Sequence, residues 1–288
     1  MLRFLTLAVT VLICAGDARA QPAVQDHVGD VYELRLKNTT ESSTDDGSSG
    51  SSQSGGLLVE RVVAVRDDGV ELEFDLPPEA TAEDRAGDWQ WPARVLKSPD
   101  GSLHLLNAAE LETRIDAWLV AGGMPREACG HWIFTWNAFK IECDPHSVIG
   151  TLAPFDLRIG DLRDGASYAE RGGLGPVLLR MRPADAGGSA FVAETPINPE
   201  FVRRERAESD VVVAEIMGEP KTLDDALQAR AADDVTGEIT TTFTTDAGGR
   251  VVRRTTVTTL TTTDAEGVVE RSTSTRTVEG RLLDPSKP

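Results

Sequence analysis

Residues 129–146 concentrate the side chains of this chain that could do chemistry. The segment contains two of the three cysteines and two of the four histidines. Thiolate and imidazole groups are the ligands that zinc prefers in proteins. Four residues would supply a complete tetrahedral set: Cys129, His131, Cys143 and His146. The single residue between Cys129 and His131 is short for such a site, so we keep zinc as an alternative and predict no cofactor.

The same segment also has the pattern of a hairpin closed by a disulfide. We predict strands over 132–135 and 139–142, joined by a turn at 136–137. This arrangement would place Cys129 opposite Cys143. Two cysteines that face each other are expected to oxidise in any compartment outside the reducing cytosol. The disulfide is the leading prediction for the segment, and closing so short a loop would contribute about 3 kcal/mol.

Aromatic and imidazole side chains on this hairpin are the candidate binding residues. They would pack on the hairpin or lie at its rim, where an apolar ligand or a protein partner could contact them. The set consists of Trp132, Trp136, Phe139, His131 and His146. A cysteine nucleophile assisted by a histidine and Asp144 would need a free thiol, which the disulfide removes. No catalytic residue is predicted.

Residues 1–20 have the pattern of a signal peptide. Arg3 provides a positive start, and residues 4–15 are apolar. Residues 18–20 (ARA) form a cleavage site that would leave Gln21 at the mature N-terminus. The apolar run is too short to span a hydrocarbon core of about 30 Å. We therefore expect a periplasmic or secreted protein that is cleaved near Ala20.

The charge balance excludes several classes of partner. The chain has 29 basic and 47 acidic residues, a net charge of −18 at pH 7. Nucleic acids and anionic membrane surfaces require clustered lysine and arginine, so we expect neither as a partner. Residues 203–206 (RRER) form the densest basic cluster, which Glu205 and Glu208 interrupt, and we predict a solvated helix face there. No integral membrane segment is expected after cleavage, because no second apolar run approaches about 18 residues.

Alternating apolar and polar residues predict strands in the N-terminal part of the chain. The alternation runs over 31–37, and further strand patterns cover 57–66 and 70–76. Residues 41–56 (ESSTDDGSSGSSQSGG) contain no apolar side chain whose burial could offset the entropy of ordering. We predict a flexible hairpin loop over this segment.

A capping pattern predicts one helix in the middle of the chain. Asn107 is followed three residues later by Glu110, which is the spacing of a capping box. Apolar residues then recur at helical spacing through Leu119, and the two glycines at 122–123 would end the helix.

Two further helices are predicted after residue 197. One would begin at Asn198 and Pro199 and end near Glu208, and the other would cover 222–231 with a threonine cap. Residues 210–217 (DVVVAEIM), which lie between these helices, are predicted to be a buried strand.

Threonine-rich segments near the C-terminus predict a three-stranded meander. Strands are expected over 236–245, 250–262 and 268–278, separated by acidic and glycine-containing turns. The fold class that follows is α+β: a predominantly antiparallel sheet, arranged as a meander or an open barrel, with about three short helices packed against it. We place residues 21–235 in a β-rich domain and 236–288 in the meander, which could continue the same sheet.

These features predict a non-enzymatic envelope protein that binds an apolar ligand or a protein partner, or that mediates assembly. Tryptophans could line a concave face of the sheet and hold an apolar ligand. Filling the core is nevertheless the simpler role for such large side chains. The tryptophans concerned are Trp89, Trp91, Trp132 and Trp136.

Two other functions remain open at this point. A secreted hydrolase would need two converging carboxylates for acid–base catalysis. The acids available are Asp144, Asp156, Glu194 and Glu200. An assembly module would instead have an exposed apolar patch or a bare sheet edge in the meander.

Overall fold

In the computed structural model, which describes residues 26–134, 138–184 and 188–283, the chain forms one large antiparallel sheet with helices packed against it. The strands are β1 (Val31–Thr44), β2 (Ser49–Arg66), β3 (Gly69–Asp75), β4 (Ala93–Lys97), β5 (Leu103–Leu105), β6 (Trp132–Phe134), β7 (Ala138–Lys140), β8 (Ser167–Tyr168), β9 (Val177–Leu178), β10 (Arg180–Pro183), β11 (Ser189–Pro196), β12 (Asp234–Thr245), β13 (Val251–Thr263) and β14 (Val269–Leu282). Ten of them form the sheet in the order β10-β11-β12-β13-β14-β1-β2-β3-β4-β5, and β6-β7 and β8-β9 form two small pairs. The predicted α+β class with a mainly antiparallel sheet is confirmed.

The described ranges contain more helices than the sequence predicted. The α-helices are α1 (Ala82–Gly87), α2 (Ala108–Ala121), α3 (Val148–Leu152), α4 (Pro199–Met217) and α5 (Leu223–Arg230). Short 3₁₀ turns lie at Arg126–Ala128, Pro145–Ser147 and Ala153–Phe155. None of the helices in these ranges is long and apolar enough to cross a membrane.

The first and last strands of the chain pair with each other and join the two halves of the sheet. β1 lies antiparallel to β14 over 13 registered residue pairs, from Tyr32 opposite Leu282 to Thr44 opposite Glu270. Strands β1–β5 and β10–β14 therefore belong to one continuous sheet. The sequence left open whether the meander would join the N-terminal strands in this way.

The serine- and glycine-rich segment 41–56 is strand over most of its length, which corrects the prediction of a loop. It forms the distal halves of β1 and β2, and only residues 45–48 turn between them. The Thr44 N–H donates to the Ser48 carbonyl at 2.9 Å and closes the turn. Backbone hydrogen bonds from β14 to β1, and from β1 to β2, supply the order that side-chain burial does not.

The three C-terminal strands form the predicted meander. They cover 234–245, 251–263 and 269–282, slightly more than the sequence indicated. The outer strands of the meander are themselves paired over most of their length, β12 with β11 and β14 with β1. The meander therefore lacks, among the described strands, the bare sheet edge that an assembly module would need.

Helix α4 spans Pro199–Met217, so the buried strand predicted over 210–217 is wrong. Asn198 caps the helix as expected, and its side-chain oxygen accepts from the Glu200 N–H at 3.0 Å. Gly218 ends the helix with a φ of 76°, a left-handed conformation that favours glycine. The valine-rich run continues the helix, because the ion pair of Asp210 with Arg230 of α5 favours the helix over the strand that valines prefer.

The other two predicted helices are present, with one change at a cap. Helix α2 begins after Asn107, but the Asn107 side-chain oxygen accepts from the Arg94 N–H of β4 at 2.9 Å instead of capping the helix. Asn107 thus connects the helix to the sheet. Helix α5 begins after Thr222, whose hydroxyl accepts from the Asp225 N–H at 3.2 Å, as the threonine cap predicted.

The main core covers only one end of the inner face of the sheet, the face that carries Leu34, Phe74 and Phe243. It lies between the sheet and helices α2 and α3. Trp89 and Trp91 belong to this core and are 6% and 8% exposed. These two tryptophans therefore fill the core, which confirms the simpler of the two roles expected for them.

Two glycines mark where the main core ends. A Cβ on Gly56 would lie 3.0 Å from the Phe155 ring, and a Cβ on Gly280 would lie 2.8 Å from Leu157. Glycine at these positions allows the segment that follows helix α3 to approach the sheet closely. Beyond the row of Gly56 the inner face carries mainly hydroxyl side chains. A second, smaller apolar cluster lies under helix α4 and contains Ile197, Val235 and Ile239.

Candidate functional site

The stapled hairpin predicted within 129–146 is present. β6 pairs with β7, and Cys129 and Cys143 form a disulfide whose Cα atoms are 5.6 Å apart. Both thiols are in this bond, so neither is available as a thiolate ligand for zinc with His131 and His146, or as a nucleophile. Within the ranges described, His, Cys, Asp and Glu side chains form no group suited to hold a metal ion.

The hairpin lies against helix α4. The Trp132 N–H donates to Glu215 Oε1 of α4 at 3.2 Å, and His131 Nδ1 lies 3.3 Å from the same oxygen. Ile133 packs against the main core on the other side. The hairpin therefore packs against the C-terminal half of α4 and contacts it through Glu215.

The remaining candidate binding residues of the hairpin occupy separate places. Phe139 of β7 is 41% exposed. His146 lies in the 3₁₀ turn Pro145–Ser147, where its N–H donates to Asp144 Oδ1 at 2.9 Å. Trp136 lies outside the described residues.

A groove lies between helix α4 and the inner face of strands β12, β13 and β14, and we call it the α4 groove. Its volume is about 710 Å³, within the usual range for ligand sites. Its lining combines hydroxyl, guanidinium, carboxylate and apolar groups. The lining includes Glu170, Arg171, Phe201, Glu205, Thr256, Thr258, Ser274 and Arg276.

The floor of the α4 groove follows from the alternation of the threonine-rich strands. Thr258 lies opposite Ser274, and Thr256 lies opposite Arg276, so these four side chains share one face. The same face carries Phe243 and Val278 further along, where the main core begins. Polar residues at inner-face positions prevent helix α4 from closing on the sheet as it would on an apolar surface.

A buried hydrogen-bond group forms the boundary between the groove and the main core. Glu170 Oε2 accepts from the Tyr168 hydroxyl at 2.6 Å and from the Thr241 hydroxyl at 2.7 Å. Burial raises the pKa of the Tyr168 hydroxyl, and the bond to Glu170 raises it further. The Tyr168 ring packs edge-on against Phe243, with ring centroids 5.2 Å apart. The Glu170 carboxylate is thus held in a fixed position at the groove.

The helix wall of the groove is both aromatic and charged. The Arg171 guanidinium lies 5.6 Å from the centre of the Phe201 ring and 3.7 Å from Glu205 Oε1. Partial burial raises the pKa of the Glu205 carboxyl, and the positive charge of Arg171 opposes that rise. On the floor, Arg276 Nε donates to Asn38 Oδ1 at 3.2 Å. The groove therefore presents carboxylate, guanidinium, hydroxyl and aromatic groups.

Helix α4 is held above the sheet by an ion network around Asp233, which is 2% exposed. Asp233 Oδ2 lies 3.6 Å from both Arg206 Nε and Arg230 Nη1. Arg230 also binds both oxygens of Asp210 at 2.8 Å, and Arg206 binds Glu270 of β14 at 2.8 Å. The network thus connects α4, α5 and β14.

The basic cluster at 203–206 is part of this network, which corrects the prediction of a solvated helix face. Arg203 Nε donates to the Asp233 carbonyl at 3.0 Å, and Arg206 reaches the Asp233 side chain. Only Arg204 of the three arginines is exposed. The acidic partners lie more than 25 positions away in sequence, so local charge patterning could not reveal them.

The acids that a hydrolase would use lie in separate local contacts. Asp156 forms an ion pair with Lys97, and Glu194 pairs with an arginine of β10 at 3.4 Å. Asp144 caps a 3₁₀ turn, and Glu200 lies in the first turn of α4. None of these four lines the α4 groove.

A second group of buried charges is fully paired and serves the fold. Arg158 lies 2.5 Å from Glu60 Oε2 and 3.2 Å from Asp26 Oδ1. Arg250 binds Asp26 at 3.0 Å, and its guanidinium lies 4.8 Å from the centre of the Tyr32 ring. These contacts attach residue 26 to the sheet and leave no charge available to a ligand in that cluster.

Asp233→Asn should loosen helix α4, because it removes the negative charge that Arg206 and Arg230 share. We expect the free energy of unfolding to fall by about 3–5 kcal/mol, the range for breaking a buried ion pair. Urea denaturation at pH 7 measures this. The neighbouring Asp234 is exposed, so Asp234→Asn should change the stability by less than about 0.5 kcal/mol. Equal effects of the two variants would contradict the network.

Thr241→Val should leave Glu170 without one of its two hydroxyl donors while keeping the shape of the side chain. We expect a loss of about 1–3 kcal/mol, since the bond is made to a charged acceptor and Thr241 is buried. Thr242 has its side chain on the other face of β12, so Thr242→Val should be neutral within about 0.5 kcal/mol. Thermal denaturation of both variants tests this, and a neutral Thr241→Val would refute the buried hydrogen-bond group.

Comparison with known proteins identifies no family for this chain. No protein-family model matches the chain, and no curated protein matches it. The groove, the network around Asp233 and the stapled hairpin are therefore the features that bear on function.

Proposed function

We propose that this protein is an exported, non-enzymatic binding module that holds an extended segment of a protein partner in the α4 groove. The observation that carries the proposal is the floor of the groove. Hydroxyl and guanidinium groups occupy inner-face positions there, under a helix that is fixed in place. A sequence that served the fold alone would fill these positions with apolar residues and close the gap.

The chemistry of the groove suits a peptide. Thr256 and Thr258 of β13, and Ser274 opposite Thr258 on β14, offer hydroxyl donors and acceptors that can bond to backbone amides. Glu205 and Arg276 can bind side chains of opposite sign, and Phe201 offers an aromatic surface beside them. Such a mixture fixes both the register and the direction of a bound chain.

An apolar ligand fits this groove less well than the sequence suggested. A lipid tail would cover the hydroxyl groups of the floor without bonding to them, at a cost of about 1–3 kcal/mol per group. Trp89 and Trp91 are in the core and are not available to line a cavity. We therefore propose a protein partner rather than an apolar ligand.

Two features support export, which is part of the proposal. The first is the signal-peptide pattern of residues 1–20, and the second is the Cys129–Cys143 disulfide. Disulfides persist in the periplasm and outside the cell and are rare in the cytosol. The hairpin that this bond closes lies under α4, so oxidation would also stiffen the wall of the groove.

Photo-crosslinking from the floor of the groove tests the proposal in the cell. A benzoylphenylalanine in place of Thr258 should form adducts with a polypeptide. After protease digestion, the mass added at position 258 should be that of a peptide. Thr259 is the matched control, because it lies next in β13, is exposed, and has its side chain on the opposite face. The expected result is adducts from position 258 and none from position 259.

Two results would overturn the proposed function. The first is a lipid or other protease-resistant adduct at position 258, which would replace the protein partner with a small ligand. The second is the absence of any adduct at 258, or equal adducts at 258 and 259, in a protein that is exported and oxidised. Mass spectrometry of the purified chain establishes export and oxidation through the cleaved mass and the loss of two hydrogens.

A further inference from the structure

The distal half of β2 is a strand edge that no residue of the described ranges pairs with. β1 pairs with β2 from Ser49 to Arg61, whereas β3 covers the other side only from Val59 to Arg66. Residues 49–55 are exposed throughout. We call residues 49–58 the β2 edge.

The hydrogen-bond pattern identifies which backbone groups on the β2 edge are unpaired. The Ser48 carbonyl accepts from Thr44 at 2.9 Å, and the Val62 N–H donates to Asp30 at 2.9 Å, so even-numbered residues of β2 bond toward β1. The β1–β2 register has no shift between these positions. Successive residues of a strand direct their backbone groups to alternate edges. The outward-facing residues are therefore Ser49, Ser51, Gln53, Gly55 and Leu57.

The β2 edge lacks the devices that prevent strand pairing. Residues 49–58 (SGSSQSGGLL) contain no charge and no proline. Native edge strands usually carry lysine, proline or a bulge, or are very short. The two terminal strands of the sheet follow that rule, since β10 (RMRP) carries two arginines and a proline and β5 has three residues. Only the β2 edge is both long and unprotected among the described strands.

We propose that the β2 edge pairs antiparallel with the same edge of a second copy of this chain, which gives a two-fold dimer with a continuous sheet. Full overlap centres the pair on Gln53, with Ser49 opposite Leu57 and Ser51 opposite Gly55. Each outward-facing residue then meets an outward-facing residue, and about ten backbone hydrogen bonds form. The two Gln53 side chains lie opposite each other across the axis, where their amides can bond.

The composition of the β2 edge favours a copy of itself over another peptide. Serine and glycine side chains form no pocket that would select the sequence of a different strand. An uncharged strand meets its own copy without opposing like charges, and two-fold dimers are the commonest assemblies of identical chains. The proposal does not depend on the α4 groove, which lies on other strands.

The acidic charge of the chain predicts how such a dimer responds to salt. Two copies that each carry a net charge of −18 repel each other. Salt shortens the Debye length from about 10 Å at 0.1 M to about 3 Å at 1 M and so weakens that repulsion. Self-association should therefore strengthen with salt, whereas a complex with a basic partner would weaken.

Sedimentation velocity of the purified, disulfide-bonded protein tests the proposal. The weight-average mass should rise toward a dimer with protein concentration, and more steeply in high salt. Gln53→Pro should weaken the association at least about tenfold, since it removes an outward N–H from each copy and inserts a ring at the axis. Pairing with β1 should survive, because residue 53 does not bond to that side, and an unchanged melting temperature verifies this.

A charge variant keeps the test decisive if the proline destabilises the strand. Gln53→Lys should weaken the dimer, whereas Gln228→Lys, which makes the same change on the exposed face of α5, should not. Gln53→Cys should cross-link two copies, because a registered pair has Cα atoms about 5.5 Å apart. Ser49→Cys should not, since its two copies would be about 27 Å apart.

Three outcomes would overturn the proposal. One is a protein that stays monomeric at every concentration in high salt, and another is self-association that Gln53→Pro and Gln53→Lys leave unchanged. The third is cross-linking that is as efficient at position 49 as at position 53. Failure here would leave adducts from position 258 unaffected, so the two proposals can fail separately.

Discussion

The antiparallel pairing of β1 with β14 is the interaction on which the rest of the molecule depends. It is the one place where the N-terminal and C-terminal strands hydrogen-bond within the described chain, and it extends over 13 residue pairs. Without it, the distal part of β1 would be a two-stranded ribbon of serine and threonine with almost no apolar contact. Such a hairpin is marginally stable in water. Pairing with β14 makes the distal part of β1 an interior strand of the ten-stranded sheet.

The pairing of β1 with β14 also divides the inner face of the sheet into an apolar end and a polar end. At one end, Leu34 and Val278 lie on neighbouring strands and belong to the main core. At the other end, the same alternation places Asn38 opposite Arg276 and Thr40 opposite Ser274. One continuous surface therefore changes from apolar to hydroxyl-rich along its length. Helix α4 spans the polar end, where charges around Asp233 and the small apolar cluster under the helix hold it, and the groove is the space that results.

Much of the fold could be predicted from local patterns in the sequence. The alternation over 31–37, the cap at Asn198 and the threonine-rich meander each involve residues a few positions apart, and each was confirmed. The cysteine pair was predictable because Cys129 and Cys143 bracket a short hairpin. Residues 210–217 were assigned wrongly because strand preference cannot reveal an ion pair between Asp210 and Arg230 that favours the helix.

The α4 groove could not be predicted, because its walls come from segments far apart in the chain. Glu170, Phe201 and Thr256 meet only after β12 and β13 have paired and α4 has folded over them. The one available signal is compositional, since the strands that form its floor carry threonine where a sheet face packed on a core would carry large apolar residues. The same reasoning failed for 41–56, where backbone pairing orders a strand that its side chains do not.

Residue-resolved hydrogen exchange tests the central claim most directly. Odd-numbered residues of β1 bond toward β14, as the bond from the Leu283 N–H to the Val31 carbonyl indicates. The amides of Lys37, Thr39 and Glu41 should therefore exchange only through global unfolding, with the same free energy as amides in β13. Fast exchange at these three positions while β13 and β14 stay protected would mean that the two halves open separately. That result would contradict a sheet built on the pairing of the first and last strands.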